Sequence, residues 1–310
     1  MKRASPDFFM RGVLFIVGPT ATGKSELAAD VANELGAEII SADAFQIYRG
    51  LDLLTAKPDA STLSKAPHHL IRTMSILDEM NAEKFRELSL QAISEIQSRG
   101  KVAIVVGGSG LYLKALTHGL SVVPSADLDL RAHLNELSLA DLQKKLRGLD
   151  PKTAVDVKNR RRVVRAVEIC VLSGTPASEL RTDWGSDTAS EGVFVFRDRD
   201  DLYQRINKRV EEMFENGVIE EVRAAGAMSE TASKMIGLRE IRELLDRKMS
   251  VLKCVAAIQQ CTRRYAKRQL TWFRRQTNFQ PLNLSVLSHV EAVERISQLA
   301  KTLGVAQGND

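Results

Sequence analysis

The sequence is poor in the residues that build covalent or metal frameworks. Its 310 residues hold three cysteines, Cys170, Cys254 and Cys261, with no CxxC pair and no Cys/His cluster. An odd, scattered set needs neither disulfides nor zinc and fits a reducing compartment. No apolar run reaches the roughly 18 residues that a membrane span needs. Residues 1–11 lack the apolar segment of a secretory leader. The expected location is therefore the cytoplasm. There are no internal repeats or low-complexity tracts, which excludes solenoids and compositionally disordered chains. Neither charge sign dominates. A formal charge of +5 and a pI near 9.1 do not by themselves announce a nucleic-acid partner, so the placement of the cations matters more.

What remains is ordinary in bulk, with 44% hydrophobic and 27% charged residues and enough length for more than one domain. One stretch is not ordinary. Gly18-Pro19-Thr20-Ala21-Thr22-Gly23-Lys24-Ser25 follows the apolar run Val13-Leu14-Phe15-Ile16-Val17 and opens a helical pattern. Strand, glycine-rich turn, then Lys-Ser starting a helix is the context a phosphate-binding P-loop requires. Backbone N–H groups and the helix N-terminus face an anion, Lys24 adds a full charge, and the Ser25 hydroxyl is placed to hold Mg²⁺.

A second strand is expected over 37–41, ending at Asp43-Ala44-Phe45-Gln46. In an open parallel sheet that end lies beside the phosphate site, although Asp43 equally suits a helix N-cap. Residues 51–58 suggest a loop, Pro67-His68-His69-Leu70 a short edge strand, and 81–99 an amphipathic helix. The apolar run at 101–106 ends in Gly107-Gly108-Ser109-Gly110, where a nucleotide hydrolase would carry an acid for Mg²⁺. Those glycines allow close approach to a ligand, or simply a tight turn.

From residue 121 the texture becomes helical, with Pro124 and Pro151 as breaks. Arg160, Arg161, Arg162 and Arg165 concentrate charge on one segment, while Val163, Val164 and Val167 turn inward. A polar loop spans 176–191 and a strand 192–196. A helix starting near Leu202 carries Arg205 and Arg209 four apart, to pair with Asp201 and Glu212 or to face phosphate. In the helix over 251–275, Tyr265 falls on the buried stripe, while 267–275 mixes cations with Trp272 and Phe273, which suits RNA contact or docking on the core. Beyond residue 280 no element stands out. The expected organisation is a P-loop catalytic core over 1–120, a helical insertion over 121–191, and the rest of the core with C-terminal helices over 192–310.

With these residues in view, the chain resembles the tRNA dimethylallyltransferase family. The matching segments are GPTATGKS at 18–25, SADAFQIYRGLDLLTAKP at 41–58, PHHL at 67–70 and GGSGLYLKAL at 107–116. They continue with PSAD at 124–127, DPKTA at 150–154, NRRRVVRAVEI at 159–169, LYQRINKRVEEM at 202–213, IGLREI at 236–241 and RRYAKRQLTWFRR at 263–275. Ser109 stands where the family most often has Thr, and Leu238 where it often has Tyr.

The resemblance implies an α/β fold: a P-loop core with a parallel sheet flanked by helices, plus an inserted helical domain. It implies transfer of a dimethylallyl group from dimethylallyl diphosphate to N6 of the adenine 3′ of the anticodon in a tRNA. Residues 18–25 would hold the diphosphate with Mg²⁺ on Ser25. Asp43, Ser109, Lys24 and Arg205 would form the catalytic set. The tRNA anticodon stem-loop would meet Asp43, Ala44, Phe45, Gln46, Ser109, Arg131, Arg161, Arg162, Arg165, Lys234, Gly237, Arg239, Lys267 and Arg268. A monomer without zinc is expected. The competing readings are a P-loop small-molecule kinase and a noncatalytic RNA-binding protein. The first leaves the arginine-rich segments unexplained. The second leaves Lys24, Ser25, Asp43 and Ser109 without a task.

Overall fold

Val13–Val17 (β1) is apolar at every position, a pattern that suits a strand covered on both faces. The computed structural model describes residues 12–180, 191–276 and 279–303 and sets β1 inside a six-stranded sheet. Residues 1–11, much of the 176–191 loop and the last seven residues lie outside the described residues. The chain continues through Lys24–Leu35 (α1), Glu38–Ala42 (β2), the single turn Ala60–Leu63 (α2), His68–His69 (β3), Ala82–Ser98 (α3), Ala103–Gly107 (β4) and Gly110–His118 (α4). Leu128–Glu136 (α5), Leu139–Leu149 (α6) and Arg160–Ser173 (α7) follow. Glu191–Phe196 (β5), Arg199–Glu215 (α8), Val218–Ala224 (α9), Leu238–Leu245 (α10), Val251–Phe273 (α11), Gln280–Asn283 (β6) and His289–Thr302 (α12) complete it.

The strand order is β3-β2-β4-β1-β5-β6, with every pairing parallel. Val17 lies opposite Gly107 and Phe194, and Ala42 opposite Gly107. The carboxyl ends of β1, β2 and β4 therefore stop at one level, β5 runs two residues further to Phe196, and their loops open on a common rim. Ligands of open α/β sheets bind along such a rim.

Alternation along β1 divides the core. Val13, Phe15 and Val17 join the cluster built with Phe85 and Ile93 of α3, Leu113 of α4, Ile241 of α10 and Phe273 of α11. Leu14 and Ile16 pack with Leu27 and Val31 of α1 and Ile296 of α12. Burying each large side chain of this kind contributes about 1.5–3 kcal/mol. The region beyond residue 280 is thus structural after all. β6 is the sixth strand, and α12 covers one face of the sheet. Its signal was weak because β6 has four residues and includes Pro281, which an edge strand tolerates. The helix containing Arg205 also begins earlier than its apolar stripe, at Arg199, with Asp200 and Asp201 in its first turn.

The chain divides into two compact units, Met1–Gly119 with Ser186–Asp310, and Leu120–Gly185. The second has its own core of Leu134, Leu142, Leu146, Val163 and Val167. Inside it, the Glu168 carboxylate is fully buried and accepts from Arg131 and Arg165, each at 2.6 Å, and from the Asp127 amide at 3.1 Å. Burial alone would raise its pKa, but the two guanidinium hydrogen bonds outweigh it and the pKa is lowered.

Glu38 ties the opposite end of the sheet together. Its buried carboxylate accepts from Arg99 at 2.7 Å, His69 at 2.8 Å and Lys101 at 3.1 Å. Burial opposes ionisation, yet the hydrogen bonds from Arg99, His69 and Lys101 prevail and hold the pKa at about 2, against an ordinary 4.5. A depressed carboxylate stabilises the fold above pH 4.5 and loses that contribution as pH falls toward 2. Glu38→Gln should therefore cost about 1.5–3 kcal/mol at neutral pH, the range for charged hydrogen bonds with partly exposed partners. Denaturant titrations should show the gap from wild type closing below about pH 4.

Candidate active site

The P-loop is shaped by absent side chains. A Cβ on Gly18 would stand 2.1 Å from the Val195 carbonyl oxygen, so β5 can pass only over glycine. Gly23 takes φ +91° as the N-cap of α1 and offers no capping side chain. The first-turn amides of α1 are thus left for an anion, which the helix N-terminus favours. Thr22 Oγ1 donates to the Pro19 carbonyl at 3.0 Å, and Lys24 Nζ to the same oxygen at 3.2 Å. Lys24, Ser25, Ser41, Asp43 and Gln46 line one cleft at the strand ends.

Asp43 lines the cleft and caps a turn, with no helix following it. Its Oδ1 accepts from the Phe45 amide at 2.9 Å and the Gln46 amide at 3.3 Å, so it caps the turn while lining the cleft. Ser109 Oγ accepts from the Ala44 amide at 3.2 Å, and the Tyr265 side chain lies beside it. Burial, with Asp43 nearby, raises the Tyr265 phenol to about 12, so it stays protonated. The glycines after β4 permit close contact. A Cβ on Gly107 would meet the Ala42 carbonyl at 2.2 Å, one on Gly108 the Gln269 amide at 2.3 Å, and one on Gly110 the Trp272 ring at 2.6 Å.

Three arginines surround this cradle. Arg205 Nε donates to the Ala21 carbonyl at 2.9 Å and Arg197 Nε to the Thr22 carbonyl at 2.8 Å. Arg209 is one turn beyond Arg205, and its buried Nε has no hydrogen-bond partner among the described residues. Burial lowers the Arg209 pKa to about 10, with Asp43 opposing and Arg205 reinforcing the shift. Burial likewise lowers Lys24 to about 8, with Asp43 opposing and Arg209 adding to it. Crowded, partly desolvated cations with few counterions favour occupation by an anion. Arg205 was nominated from sequence, and Arg209 was weighed with it through their four-residue spacing. Arg197 had no such signal, because its bond to the Thr22 carbonyl, 175 residues away, is visible only in the fold.

The remaining nominated residues fall into distinct settings. Ala44 and Phe45 follow Asp43 in the turn, and the Gln46 side chain donates to the Ala56 carbonyl at 3.0 Å. Lys267 and Arg268 are exposed on α11, with Arg268 over the Tyr265 ring. Lys234 is paired with Glu230. Gly237, at φ +93°, starts α10, and Arg239 is exposed and bonded to Glu240. In the second unit, Arg161 and Arg162 are exposed, whereas Arg131 and Arg165 are committed to Glu168. Tyr265, Gln269 and Trp272 escaped the sequence reading as site residues because their helix was judged by its cations and its apolar stripe.

A parallel sheet with a glycine-rich turn opening a helix, a glycine-serine strand end in place of a metal-binding acid, and arginines beside them define a P-loop-type α/β core. The IPP transferase family model matches residues 46–276. The tRNA dimethylallyltransferase 1 of Citrifermentans bemidjiense is 40% identical over 292 residues, covering 90% of this chain and 95% of its own. The crystal structure of the full-length tRNA isopentenylpyrophosphate transferase from Bacillus halodurans aligns with a TM-score of 0.70 at 33% identity, covering 94% and 96% of the two chains. A eukaryotic dimethylallyltransferase shares the fold, with a TM-score of 0.76 at 23% identity over 96% of this chain and 81% of that one. This chain belongs to the IPP transferase family and is a transferase.

The Lys24 shift carries a pH signature. The ammonium loses its proton as pH rises through about 8, and with it the charge that attracts an anion. Arginine remains charged throughout. The ratio of wild-type to Lys24→Arg affinity for pyrophosphate should fall by about tenfold between about pH 7.5 and 9.5, as calorimetry would show. A flat ratio would remove Lys24 from anion binding.

Proposed function

We propose that this chain transfers a dimethylallyl group from dimethylallyl diphosphate to N6 of the adenine 3′ of the anticodon in tRNA, releasing pyrophosphate. The observation that carries this reading is the meeting of the P-loop cations with Asp43 and Ser109 at the ends of adjacent strands. The diphosphate lies on residues 18–25, held by the α1 amides, Lys24, Arg205 and Arg209. As N6 bonds to the allylic carbon, the C–O bond to the diphosphate breaks and its electrons leave with pyrophosphate. Fixed cations stabilise that growing charge, usually the largest catalytic contribution. Asp43 accepts the N6 proton and Ser109 orients the amine.

Mg²⁺ suits this donor set. It is commonly bound by one or two protein oxygens together with substrate phosphates, and Ser25 supplies such an oxygen beside the loop. When bound, it would neutralise diphosphate charge. The described residues contain no cluster of three His, Cys, Asp or Glu side chains that could hold a metal without substrate.

The acceptor base must leave its stack to reach the cleft, at a cost of a few kcal/mol that RNA contacts offset. Lys267, Arg268, Lys234 and Arg239 provide contacts on the core unit, and Arg161 and Arg162 on the other. Arg131 and Arg165 support the latter through Glu168. The enzyme works as a cytoplasmic monomer. No helix of the described residues is long and apolar enough to cross a membrane.

Incubation with unmodified tRNA, Mg²⁺ and labelled dimethylallyl diphosphate should place label on the RNA. Phosphate release from ATP without transfer would indicate a kinase or hydrolase instead. Asp43→Asn should lower kcat by about 10²–10⁴-fold while tRNA affinity stays within a few-fold. Joint replacement of Arg161 and Arg162 by Gln should reduce the salt dependence of tRNA binding by about one unit of slope per lost phosphate contact. An unchanged slope would take that face out of the RNA interface.

A further inference from the structure

Gln269 lies on α11 but bonds to two loops far from it in sequence. Its Oε1 accepts from the Thr20 amide in the P-loop at 2.9 Å, and its Nε2 donates to the Gly108 carbonyl at 2.8 Å. Gly108 directly precedes Ser109. The side chain is buried, and it reaches this place only because Gly108 has no Cβ. The two loops also share one backbone bond at their base, from the Gly18 amide to the Gly107 carbonyl at 3.1 Å. A single bond lets one loop pivot against the other. A second bridge removes that freedom.

We propose that Gln269 is a positioning residue that fixes the P-loop against the Ser109 turn, so that leaving group and acceptor amine stand in line. The inference rests on the reading of the P-loop as the diphosphate cradle. Neighbours on the same helix face support it. Tyr265, one turn earlier, lies beside Ser109, and Trp272, three residues later, packs over Gly110. The same helix face thus reaches the Ser109 turn, and Gln269 alone among these three hydrogen-bonds to the P-loop.

Positioning should appear in kcat, because a misplacement of about 1 Å can cost on the order of 10²-fold in rate. Gln269→Leu should lower kcat by about 10–100-fold and leave KM for both substrates within about threefold. Gln269→Glu gives a second test that does not depend on the first variant folding. As a carboxylate it still accepts from Thr20 but opposes the Gly108 carbonyl, and as a neutral acid it regains the donor. Its kcat relative to wild type should therefore rise as pH falls from about 8 to about 6, since burial lifts a carboxyl pKa. By linkage its stability relative to wild type should rise over the same range, so kcat is compared at a temperature where both proteins remain folded. A near-normal kcat in Gln269→Leu, a loss carried by KM, or a pH-independent Gln269→Glu ratio would overturn the inference. Lys24→Ala separates the two levels. An unchanged KM for dimethylallyl diphosphate would overturn the cradle reading and this inference with it. A raised KM beside an unimpaired Gln269→Leu would overturn the inference alone.

Discussion

The sheet closes around β1 only where side chains are missing. Gly192 sits with its Cβ position 2.1 Å from the Phe15 carbonyl, and Gly18 and Gly107 are as tightly placed against Val195 and Ala42. Any larger residue would force neighbouring strands apart, because these contacts are with backbone that cannot rotate away. The common level of the strand ends, and so the meeting of P-loop, Asp43 and Ser109, depends on this close approach. Backbone packing comes first here, and chemistry is arranged on the rim it creates.

Electrostatics then makes the rim selective. Lys24, Arg197, Arg205 and Arg209 gather around a loop whose carbonyls accept from three of them, while Asp201 is engaged by Arg197 and Ser285. Asp43 faces Lys24 and Arg209, while Asp201, Glu26 and Glu212 offset part of the Arg205 charge. Such imbalance is costly in an empty protein and is relieved by a multiply charged ligand. The Glu38 cluster at the far end of the sheet is the opposite case, with one carboxylate fully answered by three donors. One end of the sheet is paired and stabilising. The other is charged and receptive.

Local signals made the P-loop, the strand ends at Asp43 and Ser109, and the arginine spacing on α8 legible in sequence. Each is a short motif whose meaning survives without its neighbours. Gln269 and Trp272 were not legible as site residues, because their partners at Thr20, Gly108 and Gly110 are more than a hundred residues away. Arg165 belonged to a basic run and Arg131 was expected at the RNA, until Glu168 proved to be buried between them. Charge density along a chain does not distinguish a cation awaiting a partner from one already paired. The strand after residue 280 was missed because an edge strand with proline has almost no pattern of its own, whereas the helix carries a readable capping box at Ser288 and Glu291.

The late position of β6 and α12 also dictates the order of assembly. α12 packs against α1, with His289 bonded to Asp30 at 2.8 Å and Ser297 to Glu34 at 3.0 Å. β1 waits similarly for β5 on one side. During synthesis the P-loop segment therefore emerges early and stays without half its walls until nearly the whole chain is made. The Leu120–Gly185 unit, with a core drawn from neighbouring helices, has all it needs much sooner. Long-range parallel pairing is slow to form, and the apolar strand VLFIV is exposed meanwhile. The first motif to be translated is thus among the last to acquire its shape.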